Sequence, residues 1–212
     1  MTYQLIVNGL YVNNDFGADL AAVFRQEFAK LGGKIVFENG FAQGTTDFRS
    51  QLTLLADAMP DAIFAPSYAE IGQMLKQAKE LGLKFRFLAA ATFENPEILA
   101  IAKDAAEGVV YPHHFDPAAS DEKVRAYQKN YQARYGRPSE GFAVLAYEGL
   151  HLLAPILREC GQKTNCIKTK LYALENYEGI TGATSFDEMG DVVKPILIKT
   201  VRNGQFVRAV CD

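Results

Sequence analysis

The chain has 212 residues, of which 49% are hydrophobic and 22% are charged, so it can bury a sizeable core and lacks the composition of a disordered chain. Its 22 lysines and arginines against 25 aspartates and glutamates give a formal charge of -3, and no basic cluster is present that could bind nucleic acid. No apolar run approaches the roughly 18 residues of a membrane span, and the segment MTYQLIVNGL lacks a signal-peptide pattern. The compartment stays open, because secreted proteins lose their signal peptides.

The first predicted elements are a strand and an amphipathic helix. An apolar segment up to Val12 predicts the strand, and Asn14 or Asp15 can cap the helix that follows. Gly32 and Gly33 mark the end of this helix. Its apolar positions fall on one face: Phe16, Leu20, Val23, Phe24, Phe28 and Leu31.

Alternating strands and helices continue up to Pro112. Strands are predicted at 34–38, at 62–65, at 85–90 and in the segment VVYP. Helices start at Thr46 and Asp47, at about Ala69, and at Asn95, which precedes a proline in the first helical position. Two of these helices turn apolar residues inward: Phe48, Leu52, Leu55, Ile71, Met74, Leu75 and Ala78. Because single helices separate the strands, residues 1–112 predict a three-layer α/β/α structure with a parallel sheet.

After this layered region the sequence predicts helices without strands between them. Ser120 caps a helix that reaches about Tyr135, and Ser139 caps a long helix that reaches Cys160. A shorter helix covers about 167–174. The predicted α/β fold is therefore followed by extra helices.

The C-terminal segment predicts a β-hairpin. PILIKTVRNGQFVRAV alternates apolar and polar residues on both sides of Asn203 and Gly204. This dipeptide is the strongest short-range signal for a two-residue turn, because both positions tolerate a positive φ. The predicted fold class is therefore α/β, with a parallel sheet, extra helices and a C-terminal hairpin.

No motif of a catalytic or cofactor site is present. The sequence contains no GxSxG, GxxxxGK[ST] or HExxH pattern, and the glycines of NGFAQG do not match GxGxxG spacing. The adjacent His113 and His114 do not form a metal-ligand pattern. Asp15, Asp47 and Asp61 stand where helix caps or turns need them. The residues give no support for an enzyme, and neither a cofactor nor a metal is expected.

Three cysteines leave one without a partner in any pairing. Cys160 and Cys166 are close enough in sequence for a disulfide to close the loop between them. Such a bond needs an oxidising compartment. The alternative is two inert thiols. Cys211 is the third, and CxxC metal or redox spacing is absent.

Five segments follow one another along nearly the whole chain: VNNDFG, GGKIVFENGFAQGTTDFRSQL, PDAIFAPSYAEIGQMLKQAKELGLK, DAAEGVV and YEGITGATSFDEMGDVVKP. In this order they resemble type I periplasmic solute-binding proteins of the Leu/Ile/Val-binding kind. The resemblance implies two α/β lobes joined by three crossing strands, a small amino-acid-like solute bound in the cleft, and closure by a hinge. It also implies a periplasmic location and delivery of the solute to the membrane permease of an ABC transporter, without enzymatic activity.

The resemblance begins in the middle of the family pattern. VNNDFG looks like the start of the first helix of the second lobe, so the opening segment of the first lobe is expected to be missing, and half of the cleft with it. The same mapping makes residues 1–112 the second lobe and 113–190 the helical remainder of the first lobe. Residues 191–212 are then hinge-crossing strands that return to the second lobe. The expected function is that of a truncated solute-binding component.

The resemblance also implies ligand-binding residues in the second lobe. Phe16 and Tyr68 fall at aromatic wall positions, where a ring offers apolar area and a π face. The family's acidic position for an α-ammonium falls at Ala91, which cannot pair with a cation. Glu94 nearby could take that role, and Thr92 could offer a neutral hydroxyl. The alternatives are a core position for Phe16 and an ordinary loop aromatic for Tyr68.

In the resembling family, the long helix that ends at Cys160 faces the sheet of the first lobe with an apolar stripe: Phe142, Leu145, Ala146, Leu150, Leu153 and Leu157. Without that sheet the stripe lacks a cover. Full burial of a leucine-sized side chain is worth about 1.5–3 kcal/mol, so several exposed ones drive association. We therefore expect two copies to bury these stripes against each other in a homodimer.

Two other functions fit the same residues. A ligand sensor or regulator of this fold in the cytoplasm would keep Cys160 and Cys166 reduced, whereas a disulfide between them favours the periplasm. An enzyme on a doubly wound scaffold would use the strand ends, and its turnover would be lost on changing Tyr68. Both remain alternatives to the solute-binding component.

Overall fold

The computed structural model describes residues 4–209. The chain divides into two compact units, the first made of residues up to Pro112 and from Ile198 onward, and the second of His113–Leu197. Residues 191–197 thus belong to the second unit, and the return to the first unit comes at Ile198. The assignment of these units to family lobes stays a prediction.

The described residues contain ten strands and seven α-helices. The strands are β1 (Val7–Val12), β2 (Glu38–Phe41), β3 (Ala62–Ala65), β4 (Arg86–Ala89), β5 (Val110–His113), β6 (Tyr177–Gly179), β7 (Gly182–Phe186), β8 (Val192–Val193), β9 (Leu197–Arg202) and β10 (Gln205–Arg208). The helices are α1 (Asp15–Lys30), α2 (Arg49–Asp57), α3 (Glu70–Glu80), α4 (Pro96–Ala102), α5 (Glu122–Tyr135), α6 (Gly141–Cys160) and α7 (Thr164–Tyr172). Short 3₁₀ turns cover Ala91–Phe93 and Lys103–Ala106.

The first unit is built on a seven-stranded sheet in the order β10-β9-β5-β4-β3-β1-β2. β1 pairs in parallel with both β2 and β3, and the parallel pairing continues from β3 through β4 to β5. β9 and β10 form an antiparallel pair at one edge. The predicted α/β class with a mainly parallel sheet is confirmed. The strand order reverses direction between β1 and β3, which makes this point the topological switch of the sheet.

The core of the first unit lies between this sheet and its helices. The predicted inward faces of α2 and α3 are confirmed, because the apolar residues predicted for these faces are buried. The face of α1 differs from the prediction, since Val23 and Leu31 are exposed. The other predicted residues, Phe16, Leu20, Phe24 and Phe28, are half-buried, and the fully buried positions are the small Gly17 and Ala21. A Cβ on Gly17 would lie 2.0 Å from the Val12 carbonyl oxygen, so the start of the helix lies very close to the end of β1.

Several predicted element starts are displaced, and three of the displacements have a local reason. β2 begins at Glu38 rather than 34, because the Phe37 amide donates to the Asn8 side chain instead of a ladder partner. Asp121, not Ser120, caps α5 by accepting from the Lys123 and Val124 amides. Ser139 does not cap α6, since its hydroxyl is hydrogen-bonded to Tyr127 at 2.8 Å.

The second unit combines α5, α6 and α7 with a small antiparallel sheet of β6, β7 and β8. Sequence analysis missed this sheet, because its strands are short and contain residues that do not alternate in polarity. Gly182, with a φ of 97°, starts β7 in a conformation that L side chains rarely adopt. The helices enclose two apolar clusters, one around Phe115 and Val144 and the other around Leu152 and Ile156.

The C-terminal hairpin forms as predicted between β9 and β10. Asn203 and Gly204 have φ values of 53° and 69°, as a two-residue turn of type I′ requires. The Glu107 carboxylate accepts hydrogen bonds from both turn amides, at 3.0 and 2.6 Å. The turn is thereby tied to the loop that precedes β5.

A disulfide joins Cys160 at the end of α6 to Cys166 in α7, with a Cα–Cα distance of 5.6 Å. Cys160 is buried in the cluster with Leu152 and Ile156, against which Leu171 of α7 also packs. The bond therefore links α6 and α7 next to their apolar contact. Cys211 lies outside the described residues.

Replacing Cys166 by alanine is expected to lower the free energy of unfolding by about 2 kcal/mol, because the bond closes a short loop in the unfolded chain. Urea denaturation followed by circular dichroism measures this loss. Reduction of the wild-type chain should produce a similar loss, while the variant should not respond to reductant. An unchanged wild-type midpoint on reduction would show that the bond does not stabilise the second unit.

Candidate functional site

The candidate site lies at the carboxyl edge of the parallel sheet in the first unit. In open α/β sheets, ligands bind outside the carboxyl ends of the strands at the topological switch point. Here that point is the gap between β1 and β3, and the loops after β1, β3 and β4 surround it. Each of the four ligand-binding residues predicted from the sequence lies on one of these loops or the adjacent helix start.

The structure brings Phe16 and Tyr68 together across the switch point. Their rings stack with centroids 4.9 Å apart and an interplanar angle of 21°, and both are half-buried. Phe16 is held in the first turn of α1, because Asn14 accepts a hydrogen bond from the Gly17 amide at 3.0 Å. The two rings form an apolar surface with a π face at the sheet edge.

Glu70 fixes the loop that carries the second ring. One oxygen of its carboxylate accepts from the Tyr68 amide at 3.1 Å, and the other accepts from the Gly44 amide at 2.8 Å. The carboxylate therefore joins the loop after β3 to the loop after β2. Sequence analysis missed this residue, although an acidic side chain in the first turn of α3 was a signal for an N-terminal role.

Thr92 connects the third loop to the second. Its hydroxyl donates to the Ser67 carbonyl oxygen at 2.6 Å, and Ser67 is buried. The hydroxyl thus positions the 3₁₀ turn after β4 beside the loop that carries Tyr68. A hydroxyl oxygen retains acceptor capacity after donating one bond.

Glu94 lies at the end of the same 3₁₀ turn, and Lys199 and Tyr111 contact its carboxylate. Lys199 of β9 approaches its two carboxylate oxygens at 2.6 and 2.7 Å, and the Tyr111 hydroxyl donates to it at 2.7 Å. The side chains of Lys199 and Glu94 are 1% and 11% exposed. The site therefore contains a nearly buried ion pair that no sequence pattern indicated, because Lys199 is 105 residues away.

Three cavities lie elsewhere in the described residues. A cavity of about 700 Å³ opens at the amino edge of the sheet, where Asp61, Lys84 and Arg86 contribute to its lining. A second, of about 510 Å³, lies between α3 and α4. A third, of about 290 Å³, lies in the second unit between α5, α6 and β6. None of them is near the switch point, so the position of the strand ends identifies the site better than cavity size does.

Metal ligation has no geometric support among the described residues, which hold no group of three potential ligands from histidine, cysteine, aspartate and glutamate. The adjacent histidines contact different partners. His113 is buried and its ring nitrogen contacts the Phe115 backbone, while His114 lies 3.3 Å from the Pro195 carbonyl oxygen. No helix in the described part of the chain is long and apolar enough to cross a bilayer.

A family model described as "Periplasmic binding protein" matches residues 7–205. A curated relative, the leucine-, isoleucine-, valine-, threonine- and alanine-binding protein of Pseudomonas aeruginosa, is 28% identical over 186 residues. The match covers 86% of this chain and 49% of that protein. The chain thus spans about half the length of the curated relatives it matches.

Solved structures of similar proteins share the fold. A leucine binding protein from Thermotoga maritima superposes with a TM-score of 0.87 at 27% identity, over 96% of this chain and 59% of the other. A branched-chain amino acid transporter substrate binding protein from Streptococcus pneumoniae, solved with isoleucine, gives a TM-score of 0.83 at 29% identity. That match covers 95% of this chain and 58% of the other.

Proposed function

Because the chain belongs to the periplasmic binding protein family, we propose that it acts as the solute-binding component of an ABC transporter for amino acids or similar small organic solutes. The observation that carries this proposal is the stacked pair of Phe16 and Tyr68 at the switch point of the sheet. The similar proteins named above bind leucine, isoleucine and other amino acids, which have apolar side chains that such rings can cover.

In this proposal Phe16 and Tyr68 contact the apolar part of the solute, while Thr92 and Glu94 border its polar part. Lys199 neutralises Glu94, so the carboxylate contributes hydrogen-bond acceptors rather than a full negative charge. The first unit thus supplies mainly apolar contact area. In this proposal the site binds the solute without a catalytic step.

We place the protein in the periplasm, where it would deliver solute to a membrane permease. The disulfide between Cys160 and Cys166 supports this location, since such bonds persist in oxidising compartments. Reduced thiols in protein taken from its native host would instead favour a cytoplasmic ligand sensor of the same fold.

Alanine substitutions of the two rings test the binding role. We expect Phe16→Ala and Tyr68→Ala each to weaken solute binding about tenfold, because each removes a large part of the apolar surface. Isothermal titration with leucine, isoleucine, valine, threonine and alanine measures the affinity. Tyr135→Ala removes an exposed ring in the second unit and serves as the matched control.

Three outcomes decide the test. Weaker binding in both ring variants with an unchanged control supports the proposal, provided circular dichroism shows native helix content. Equal affinities in all variants would contradict the assigned site. Absence of binding of every tested amino acid to the wild-type chain would contradict the proposed solute class.

A further inference from the structure

Side-chain hydrogen bonds tie the loops at the carboxyl edge of the sheet to one another. Asn14, after β1, donates to the Gln43 side chain at 3.4 Å and so links the loop after β1 to the loop after β2. The Glu70 carboxylate accepts from the Gly44 amide in the loop after β2 and from the Tyr68 amide in the loop after β3. Glu70 therefore lies where the loop after β2 meets the loop that carries the second ring of the site.

Helix α3 has no capping side chain at its own N-cap position. The N-cap residue is Ala69, whose side chain cannot accept a hydrogen bond. Glu70, in the first turn, reaches back to the Tyr68 amide instead, as the glutamate of a capping box does. The backbone position of Tyr68 thus depends on this carboxylate, and with it the place of the ring that stacks on Phe16.

Both contacts of Glu70 need an acceptor. The Gly44 amide donates to Oε1 at 2.8 Å, and the Tyr68 amide donates to Oε2 at 3.1 Å. A glutamine side chain has the same size, but it has one acceptor oxygen and an NH₂ group that only donates. Glutamine at position 70 can therefore hold one of the two loops in this arrangement, but not both.

A second residue of α3 holds the other end of the loop after β2. Gln77 is buried, accepts from the Phe48 amide at 2.7 Å and donates to the Thr46 carbonyl oxygen at 2.7 Å. These two bonds do not involve Glu70. We therefore expect a change at position 70 to leave α2 and α3 in place and to affect only Tyr68 and the near end of the loop after β2.

We propose that Glu70 is a positioning residue of the binding site, whose carboxylate sets the place of the Tyr68 ring by holding the loops after β2 and β3 together. The inference rests on the proposed function, in which this ring covers the apolar part of the solute. Glu70 acts through Tyr68 and does not contact the solute itself. Loss of one of its two contacts frees the loop, so that ordering the ring on binding costs affinity.

Isothermal titration with leucine, isoleucine, valine, threonine and alanine tests this role. Glu70→Gln is expected to weaken binding about fivefold. In a Tyr68→Ala background the same change should have less than about a twofold effect, because the ring through which Glu70 acts is absent. Glu80→Gln removes an exposed carboxylate at the other end of α3, where it pairs with Arg49, and is the matched control with unchanged affinity.

Amide chemical shifts of the free chains separate positioning from a general loss of structure. In Glu70→Gln the largest shift changes should lie at the Gly44 and Tyr68 amides, which lose their shared acceptor. The Phe48 amide, which donates to Gln77, should keep its wild-type shift. Shift changes spread over the whole first unit would show that Glu70 supports the fold and would overturn the positioning role.

The titrations distinguish this inference from the proposed function. Unchanged affinity in Glu70→Gln, or an equal loss in the wild-type and Tyr68→Ala backgrounds, would overturn the positioning role and leave the proposed function in place. Failure of the wild-type chain to bind any of the five amino acids would instead overturn the proposed solute class, and the positioning role with it.

Discussion

Replacing Lys199 by methionine is expected to lower the free energy of unfolding by about 3–5 kcal/mol, because it leaves the Glu94 carboxylate without its cation. The pair is nearly buried, with side-chain exposures of 1% for Lys199 and 11% for Glu94. The hydrogen bond from the neutral Tyr111 hydroxyl does not supply the lost positive charge. Urea denaturation followed by tyrosine fluorescence measures the loss.

The double variant Lys199→Met with Glu94→Leu separates the cost of an unpaired charge from the loss of packing. Replacement of both members of a buried ion pair by apolar residues is often nearly neutral, so this variant should recover most of the lost stability. Lys30→Met, which removes one member of an exposed ion pair with Glu27, should change stability by less than about 1 kcal/mol. Similar losses in the single and double variants would show that the charge of Glu94 is not what Lys199 stabilises.

A second large effect is expected in the second unit, at Glu148. This carboxylate accepts from the Thr181 amide at 2.8 Å and from the Thr181 hydroxyl at 2.9 Å, and it forms an ion pair with Lys194. The side chains of Glu148 and Lys194 are 5% and 6% exposed. Glu148→Gln is expected to cost about 3–5 kcal/mol, because it leaves a buried ammonium without a counterion.

The same site predicts a pH dependence. Burial tends to raise the pKa of Glu148, but hydrogen bonds from Lys194 and Thr181 outweigh it and hold the pKa below the usual value for glutamate. A carboxylate with a lowered pKa stabilises the fold above its unfolded-state pKa of about 4.3, and this contribution is lost as the pH falls through the folded-state value. Stability of the wild-type chain should therefore decrease in acid more steeply than that of Glu148→Gln.

Denaturation of both chains at several acidic pH values checks this expectation. Glu178→Gln removes an exposed carboxylate that pairs with Lys123 and is the matched control, with a change of less than about 1 kcal/mol. If the wild-type chain and Glu148→Gln lose stability in parallel as the pH falls, another group causes the acid dependence. If Glu148→Gln is as stable as the control at neutral pH, the ion pair does not stabilise the second unit.

Elements with local sequence signals were predicted well. The helix beginning with Asn95 and Pro96 has the expected cap, since the Asn95 side chain accepts from the Glu97 amide at 2.9 Å. The turn at Asn203 and Gly204 also forms as its dipeptide indicates. In both cases neighbouring residues give the signal, although the turn is also bound by Glu107 from a distant part of the chain.

Features that depend on distant residues were not predicted. The pairing of Glu94 with Lys199 requires β9 to return beside β5, which no local pattern specifies. Val23 follows the helical periodicity but is exposed, whereas Gly17 and Ala21 are the fully buried positions of α1. Periodicity identified the helix, whereas tertiary packing selected its inner face.

The central claim is that solute binds at the carboxyl edge of the sheet in the first unit. Titration of the ¹⁵N-labelled chain with leucine, followed by amide chemical shifts, tests it most directly, because the method also detects weak binding. We predict that the largest shift changes lie at 14–17, 67–69 and 91–94. Changes confined to the cavity near Asp61 and Arg86 at the opposite edge, or no changes at all, would contradict the claim.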